Sequence, residues 1–232
     1  MQVKFFVGKS GAGEAAAQDN ICIIVDILRT SNTILAALEN GFEKVKPVLA
    51  MEKQTDLITA GEKEGKKLPN VDYGNSPTEL IAGTKKGKIL VLLSSNGIPC
   101  ILNAVGSGLP ILIGCLRNCS AVTAAAKQLA ERYKKDIAIV LAGRHHRLEA
   151  DDWLAGSVLL SKLAPLRISG AIAPIPFERK EIKTLLRQSP AGKQLLRLGY
   201  EADIEFCSEM DVTSLVPSYS SKRGFIERNF LI

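Results

Sequence analysis

Ile21-Cys22-Ile23-Ile24-Val25-Asp26-Ile27-Leu28-Arg29-Thr30-Ser31-Asn32-Thr33 is the stretch on which the reading of this chain turns. Its first five residues are apolar and mostly β-branched, the mark of a strand buried on both faces. The run stops at an acid, and within a few residues come an arginine and a row of hydroxyl and amide side chains. Ile34, Leu35, Ala37 and Leu38 then keep a helical period, with Ser31 or Asn32 as the expected N-cap. A carboxylate, a guanidinium and several donors therefore gather where a strand ends and a helix begins. Open α/β sheets bind ligands at that place, and helix N-termini favour anions. An acid beside anion donors also suits a divalent cation that bridges carboxylate to phosphate. A plain Asp26–Arg29 ion pair at a strand end explains the same residues, so the rest of the chain has to decide.

The same pattern recurs downstream. Lys88 to Leu93 reads as a buried strand ending in Ser94-Ser95-Asn96-Gly97, with a helix from about Pro99 to Val105. Leu109 to Ile113 ends in Gly114-Cys115-Leu116-Arg117-Asn118-Cys119-Ser120, before a helix with Val122, Ala125, Leu129 and Tyr133 on one face. Ile137 to Ala142 ends in Gly143-Arg144-His145-His146-Arg147-Leu148-Glu149-Ala150-Asp151-Asp152, before a helix marked by Trp153, Leu154, Val158, Leu159 and Leu163. Four strand–loop–helix units predict an α/β protein of three layers, α/β/α, with a mainly parallel sheet and the polar loops on one edge.

The remaining segments are read as follows. Val3 to Val7 is a first strand. Gly8-Lys9-Ser10 looks like the end of a P-loop, but Val3 stands where that motif needs glycine. Gly11-Ala12-Gly13-Glu14-Ala15-Ala16 matches a dinucleotide fingerprint, yet the next strand starts too soon for a full crossover helix, so residues 8 to 20 are expected to be a loop. Gly41 ends the helix after Asp26 as its C′ residue. Lys44 to Val48 is a short strand, Met51 to about Gly61 a helix with Leu57 and Ile58 inward, and Lys63 to Lys67 a solvated turn. Ser76 with Glu79 forms a capping box around Pro77, which leaves Gly74-Asn75 to offer amides to an anion. Ile168 to Pro176 is an edge strand or connector. Glu181 to Leu186 is helical, and a helix after Ser189-Pro190 is closed by Gly199. Ala202 to Cys207 reads as a strand or a loop-like edge, and Val216 to Tyr219 as extended.

With 232 residues, 46% of them hydrophobic, the chain can bury a substantial core as one unit, 1–232, with sub-lobes at about 1–110 and 111–232. The net charge of +6 suits an anionic ligand. Aromatic residues make up only 5% and the basic residues form no long run, which argues against a nucleic-acid partner. The apolar runs are too short to span a bilayer. Five cysteines, mostly in apolar runs and without a secretory leader pattern, lead to the expectation of reduced thiols in a cytoplasmic protein.

On one edge the loops would collect Asp26, Arg29, Thr30, Ser31, Asn75, Ser95, Asn96, Asn118, Arg144, His145, Glu149, Asp151 and Asp152. Asp26 and the Glu149/Asp151/Asp152 group could hold one Mg²⁺ through oxygen. Arg29 and Arg144 could clamp an oxyanion, and the serine, asparagine and backbone donors could stabilise a transferring phosphoryl group. These parts fit phosphate ester hydrolysis. Asp151 or Asp152 also suits a plain helix cap. A zinc site built from Cys115, Cys119, His145 and His146 lacks a second close cysteine pair, and free cysteines ordinarily serve as small buried hydrophobes.

Val25-Asp26-Ile27-Leu28-Arg29-Thr30-Ser31, Gly74-Asn75-Ser76-Pro77, Ser95-Asn96-Gly97, Gly114-Cys115-Leu116-Arg117-Asn118 and Leu148-Glu149-Ala150-Asp151 together resemble the 2-phosphosulfolactate phosphatase family. The tail Ser189-Pro190-Ala191-Gly192-Lys193-Gln194-Leu195, with Leu198-Gly199, Asp203-Ile204 and Val216-Pro217, resembles it too. The resemblance implies a Mg²⁺-dependent phosphatase of coenzyme M biosynthesis, converting 2-phospho-3-sulfolactate and water to 3-sulfolactate and phosphate. It also implies an α/β fold of two related lobes and a homodimer. Departures from the family pattern are Leu93-Ser94-Ser95 for a threonine-rich run, Ile98 for a threonine, and Leu141-Ala142-Gly143 for Cys-Ala-Gly. Ala155-Gly156 sets the register that puts Asp151 at the family's Asp position and Ala150 at its Glu position, with Glu149 one residue away.

Loops and resemblance together make Asp26, Arg29 and Asp151 the expected catalytic residues. Arg29, Thr30, Ser31, Asn75, Ser95, Asn96, Gly97, Asn118, Arg144 and His145 are the expected substrate contacts, and Asp26, Glu149, Asp151 and Asp152 the expected Mg²⁺ ligands. The alternatives are a phosphatase for another small phosphorylated hydroxy acid and a non-catalytic anion-binding homologue.

Overall fold

The computed structural model describes residues 1–52, 57–83, 87–106, 108–145, 147–164, 166–168 and 178–228; His146, residues 53–56 of the expected Met51–Gly61 helix and most of Ile168 to Pro176 lie outside them. The first half of the chain supplies β1 (Gln2–Val7), α1 (Gly8–Ala17), β2 (Ile21–Val25), α2 (Thr30–Glu39), β3 (Lys44–Pro47), β4 (Ile58–Lys63), β5 (Lys66–Lys67), α3 (Pro77–Ala82), β6 (Ile89–Leu93) and α4 (Gly97–Asn103). The second half supplies β7 (Ile111–Gly114), α5 (Cys119–Tyr133), β8 (Ile137–Leu141), α6 (Ala150–Leu163), β9 (Arg167–Ile168), α7 (Ile182–Gln188), α8 (Pro190–Arg197), α9 (Glu201–Ser208), β10 (Pro217–Ser220) and β11 (Phe225–Arg228).

The strands form one mostly parallel sheet in the order β5-β4-β6-β3-β11-β10-β7-β2-β8-β1-β9. β7, β2, β8, β1 and β9 make one parallel block, and β3, β6 and β4 another. β10 and β11 pair antiparallel with each other and with the two blocks. Strands from both halves of the chain share the first block, since β1 and β2 flank β8.

β2 shows why the layers form. Ile21, Ile23 and Val25 face one hydrophobic cluster, with residues of α5, α6, α7, α8 and α9. Cys22 and Ile24 face the other, with residues of α1, α2, α3 and α4. Side chains alternate across a strand, so a wholly apolar run needs helices on both sides. The result is a three-layer α/β/α fold. The second cluster also takes in Val45, Leu90 and Leu92, so α4 packs against strands of both blocks and α2 against β3.

Three expectations fail, each for a physical reason. Residues 8 to 20 are not a loop, because Gly8–Ala17 is helical. Gly11, Ala12, Ala15 and Ala16 are buried, and their small side chains let a short helix lie close on the sheet. Ile58 to Gly61 is not the end of a helix but part of a strand paired parallel with β6. Ala202 to Cys207 is not extended but lies in α9, where Asp203, Ile204 and Cys207 turn inward together. The helix after Asp26 also starts two or three residues early, at Thr30, with Arg29 at the cap position rather than Ser31 or Asn32. Gly41 does follow that helix at φ 102°, the left-handed conformation expected of a C′ glycine. Among the described residues no helix is long and apolar enough to cross a membrane.

Candidate active site

Asp26 follows β2 and is 8% exposed. Its carboxylate accepts hydrogen bonds from the Thr30 amide at 3.2 Å and the Thr30 hydroxyl at 2.7 Å. Thr30 is fixed in turn: its Oγ1 lies 3.0 Å from Ser94 Oγ and accepts from Asn75 Nδ2 at 3.3 Å. The ends of β2 and β6 and the residue before Ser76 thus meet at one hydroxyl. Gly97 permits the approach, since a Cβ there would lie 2.5 Å from Asp26 Oδ2 and 2.6 Å from Thr30 Cβ. Burial pushes the Asp26 carboxyl above its ordinary range; the Thr30 bonds oppose the shift and the Glu62 charge adds to it.

The loop after β8 brings the second acidic group. Asp151 and Asp152 are each 4% exposed in the first turn of α6. Asp152 braces the backbone, accepting from the Ile27 amide at 2.9 Å and the Gly143 amide at 2.7 Å. Asp151 differs, because its Oδ1 is buried without a hydrogen-bond partner among the described residues. Burial, with the charges of Asp26 and Glu149, pushes its carboxyl up to about 7. Burial and the Asp151 and Asp26 charges also hold Asp152 well above the ordinary range. Three carboxyls that burial and mutual repulsion disfavour as anions form a site short of positive charge.

Sequence reasoning missed the turn that closes the cleft. Glu64 and Gly65 join β4 to β5 with φ of 51° and 77°, the left-handed pair of a two-residue hairpin turn. Glu62 accepts from the amides of Gly65 and Ser95. Arg29 donates from Nη2 to the Gly65 carbonyl at 3.0 Å and from Nη1 to Asp203 at 2.8 Å, and stacks over Tyr200 at 4.2 Å. Its ion pair is therefore with Asp203 rather than Asp26. Arg144 donates to Gln194 at 2.6 Å and to Glu64 at 2.7 Å. Glu64 sat in a stretch that read as a solvated turn, and Asp203 in one that read as a strand or a loop-like edge, so no local signal marked them.

The expected residues separate accordingly. Asp26, Arg29, Thr30, Asn75, Ser95, Asn96, Arg144, Glu149, Asp151 and Asp152 line one cleft, with Glu62, Glu64, Gly65 and Gln194. Ser31 stands behind it, accepting from the Asp26 amide at 3.0 Å. Asn118 does not reach the cleft. Its carbonyl oxygen accepts from the Cys115 amide, and its amide group donates to the carbonyls of Ile113 and Leu215. The whole loop after β7 is covered by the chain at Asp211 and Val212, whose amides bond to Leu116 and Arg117. His145 is exposed at the rim, 3.9 Å from Glu64. The Gly74 amide is taken by Glu79 at 2.8 Å, which leaves it closed to an anion.

Among the described residues no three His, Cys, Asp or Glu side chains form a closed metal cluster. The cleft instead offers carboxylate oxygens of Asp26 and Asp151 and the buried Oδ1 of Asn75, which has no hydrogen-bond partner among the described residues. That donor set is all oxygen and sparse. It fits Mg²⁺, which keeps several waters and takes one or two carboxylates beside phosphate oxygens.

Comparison with known proteins supplies the family. The family model described as 2-phosphosulpholactate phosphatase matches residues 9–222. A Methanothermobacter thermautotrophicus protein named 2-phosphosulfolactate phosphatase is 33% identical over 210 residues, covering 88% of each chain. A Clostridium acetobutylicum protein named "probable 2-phosphosulfolactate phosphatase" is 28% identical over 236 residues, covering 95% of this chain and 98% of its own. A Thermus thermophilus protein of the same printed name is 30% identical over 229 residues, covering 91% and 93%. A match that runs through Asp26, Asn75, Asp151 and the α8 residues that close the cleft leaves one conclusion: this chain belongs to the 2-phosphosulpholactate phosphatase family.

Proposed function

We propose that this protein is a phosphoric monoester hydrolase that releases phosphate from 2-phospho-3-sulfolactate, with Mg²⁺ held at Asp26 and Asp151. The observation that carries the reading is the pair of buried carboxyls lining one cleft, both held above their ordinary range, one with an oxygen that no group among the described residues satisfies. A cleft this acidic repels a phosphorylated acid unless a cation enters with it. Bound there, Mg²⁺ would polarise the phosphoryl oxygens and offset the charge that develops on them. The chain's own groups supply placement. Thr30, held by Asn75 and Ser94, fixes the Asp26 carboxylate, and Asp152 ties the loops after β2 and β8 to a single separation. Such bracing keeps reacting groups within the tolerance that catalysis requires.

The test is phosphate release from racemic 2-phospho-3-sulfolactate, with Mg²⁺ and with EDTA, beside a panel of phosphorylated hydroxy acids. Mg²⁺-dependent release that prefers the sulfolactate is expected. Release from another member keeps the chemistry and replaces the substrate. No release from any of them by folded protein would sink the proposal and favour an anion-binding homologue. The proposal extends to a homodimer on the strength of the family resemblance, and to the cytoplasm on the reduced thiols expected of its five cysteines; light scattering in solution reads the dimer directly.

A further inference from the structure

Arg144 is held by an internal anion. Its Nη2 donates to Glu64 Oε2 at 2.7 Å, and His145 Nε2 stands 3.9 Å from Glu64 Oε1. The Glu64 carboxylate is not what holds its turn in place. The Glu64 amide donates to Ser95 Oγ at 3.1 Å, and its carbonyl accepts from Gln194 Nε2 at 2.7 Å. The Gly65 amide and carbonyl are tied separately to Glu62 and Arg29. With the backbone anchored at four points, the Glu64 side chain is free to leave. It is 49% exposed, so its charge returns to water at little cost, and such ion pairs contribute little to stability. Arg29 offers no such exchange, because its pair with Asp203 is 2% and 0% exposed. A planar guanidinium released from Glu64 would bind the oxygens of a carboxylate, sulfonate or phosphate in bidentate fashion.

We propose that Glu64 is a specificity-determining gate: its carboxylate occupies the Arg144 position meant for a second acid group of the substrate, and a phosphorylated acid displaces it on binding. The inference rests on the phosphatase reading of the cleft and adds to it the residue that selects for a substrate with an anionic group besides its phosphate.

The test uses the full chain with Mg²⁺. Glu64→Gln should lower KM for 2-phospho-3-sulfolactate roughly twofold to fivefold, the range for releasing one partly exposed ion pair. Arg144→Gln should raise KM, and in its presence Glu64→Gln should have no further effect, because the gate acts only through that guanidinium. A Glu64 that merely props the turn would give the opposite: KM unchanged or raised in Glu64→Gln, which overturns the proposal. Calorimetric titration with 3-sulfolactate reads the gate without turnover. Tighter binding to Glu64→Gln than to the parent supports it; equal, weaker or undetectable binding overturns it. Absence of hydrolysis alongside tighter binding would count against the phosphatase reading alone.

Discussion

Asp203→Asn removes one charge from the middle of the fold while leaving an acceptor in place. Asp203 Oδ1 accepts from Ser76 Oγ at 2.8 Å, the Thr78 amide at 3.2 Å and Thr78 Oγ1 at 2.6 Å, and an asparagine oxygen keeps all three. Oδ2 accepts from Arg29 at 2.8 Å, and there the asparagine NH₂ would turn a donor toward donors. Arg29 is 2% exposed and Asp203 0%, so neither solvent nor salt can replace the lost partner. Removing one member of a buried pair costs about 3–5 kcal/mol, because the remaining charge stays buried and uncompensated. For a chain of this size that corresponds to a Tm lower by about 6–20 °C. Urea and thermal unfolding followed by circular dichroism measure it. The double variant Arg29→Met/Asp203→Asn should be less destabilised than Asp203→Asn alone, since no orphan charge remains. A loss below about 1 kcal/mol, the range of exposed pairs, would refute the argument that Arg29 is a buried cation dependent on Asp203.

Asp26→Asn should abolish phosphate release without lowering the Tm in EDTA at pH 8, because it removes a charge that burial disfavours; retained activity would take Asp26 out of the site. Gly97→Ala should cost about 1–3 kcal/mol through overpacking against Asp26 and Thr30 and should cut kcat/KM more than tenfold, about the effect of misplacing a reacting group by an ångström; a neutral result would contradict the close approach. In EDTA, stability should fall as pH rises from about 4 to about 7. Across that window Asp151 keeps its proton in the folded protein and loses it in the unfolded chain, where its carboxyl returns to near 3.8. Tm against pH should flatten in Asp151→Asn, and Mg²⁺ should restore stability above pH 7; an unchanged profile in the variant would assign the slope to other groups.

The amino-acid sequence by itself determined the central strands and the loops that carry most of the chemistry. Ile21–Val25 and Ile137–Leu141 are apolar throughout, and only a strand covered on both faces makes that composition stable. The polar residues at their ends, Asp26 and Asp151 among them, stood out for the same reason, as abrupt departures from apolar runs. Tertiary structure alone decided the rest. Gly8–Ala17 has the composition of a loop and is a helix because the sheet accepts small residues closely. Ile58–Lys63 is a strand because β6 offers it a parallel edge. Arg29 is committed to Asp203, 174 residues away, and Arg144 to Glu64, 80 residues away, while Asn118, in a loop of the same appearance, braces a turn outside the cleft. Local periodicity reports which side of an element is buried. Which charges meet inside is fixed by how distant segments pack, and no short-range pattern encodes that.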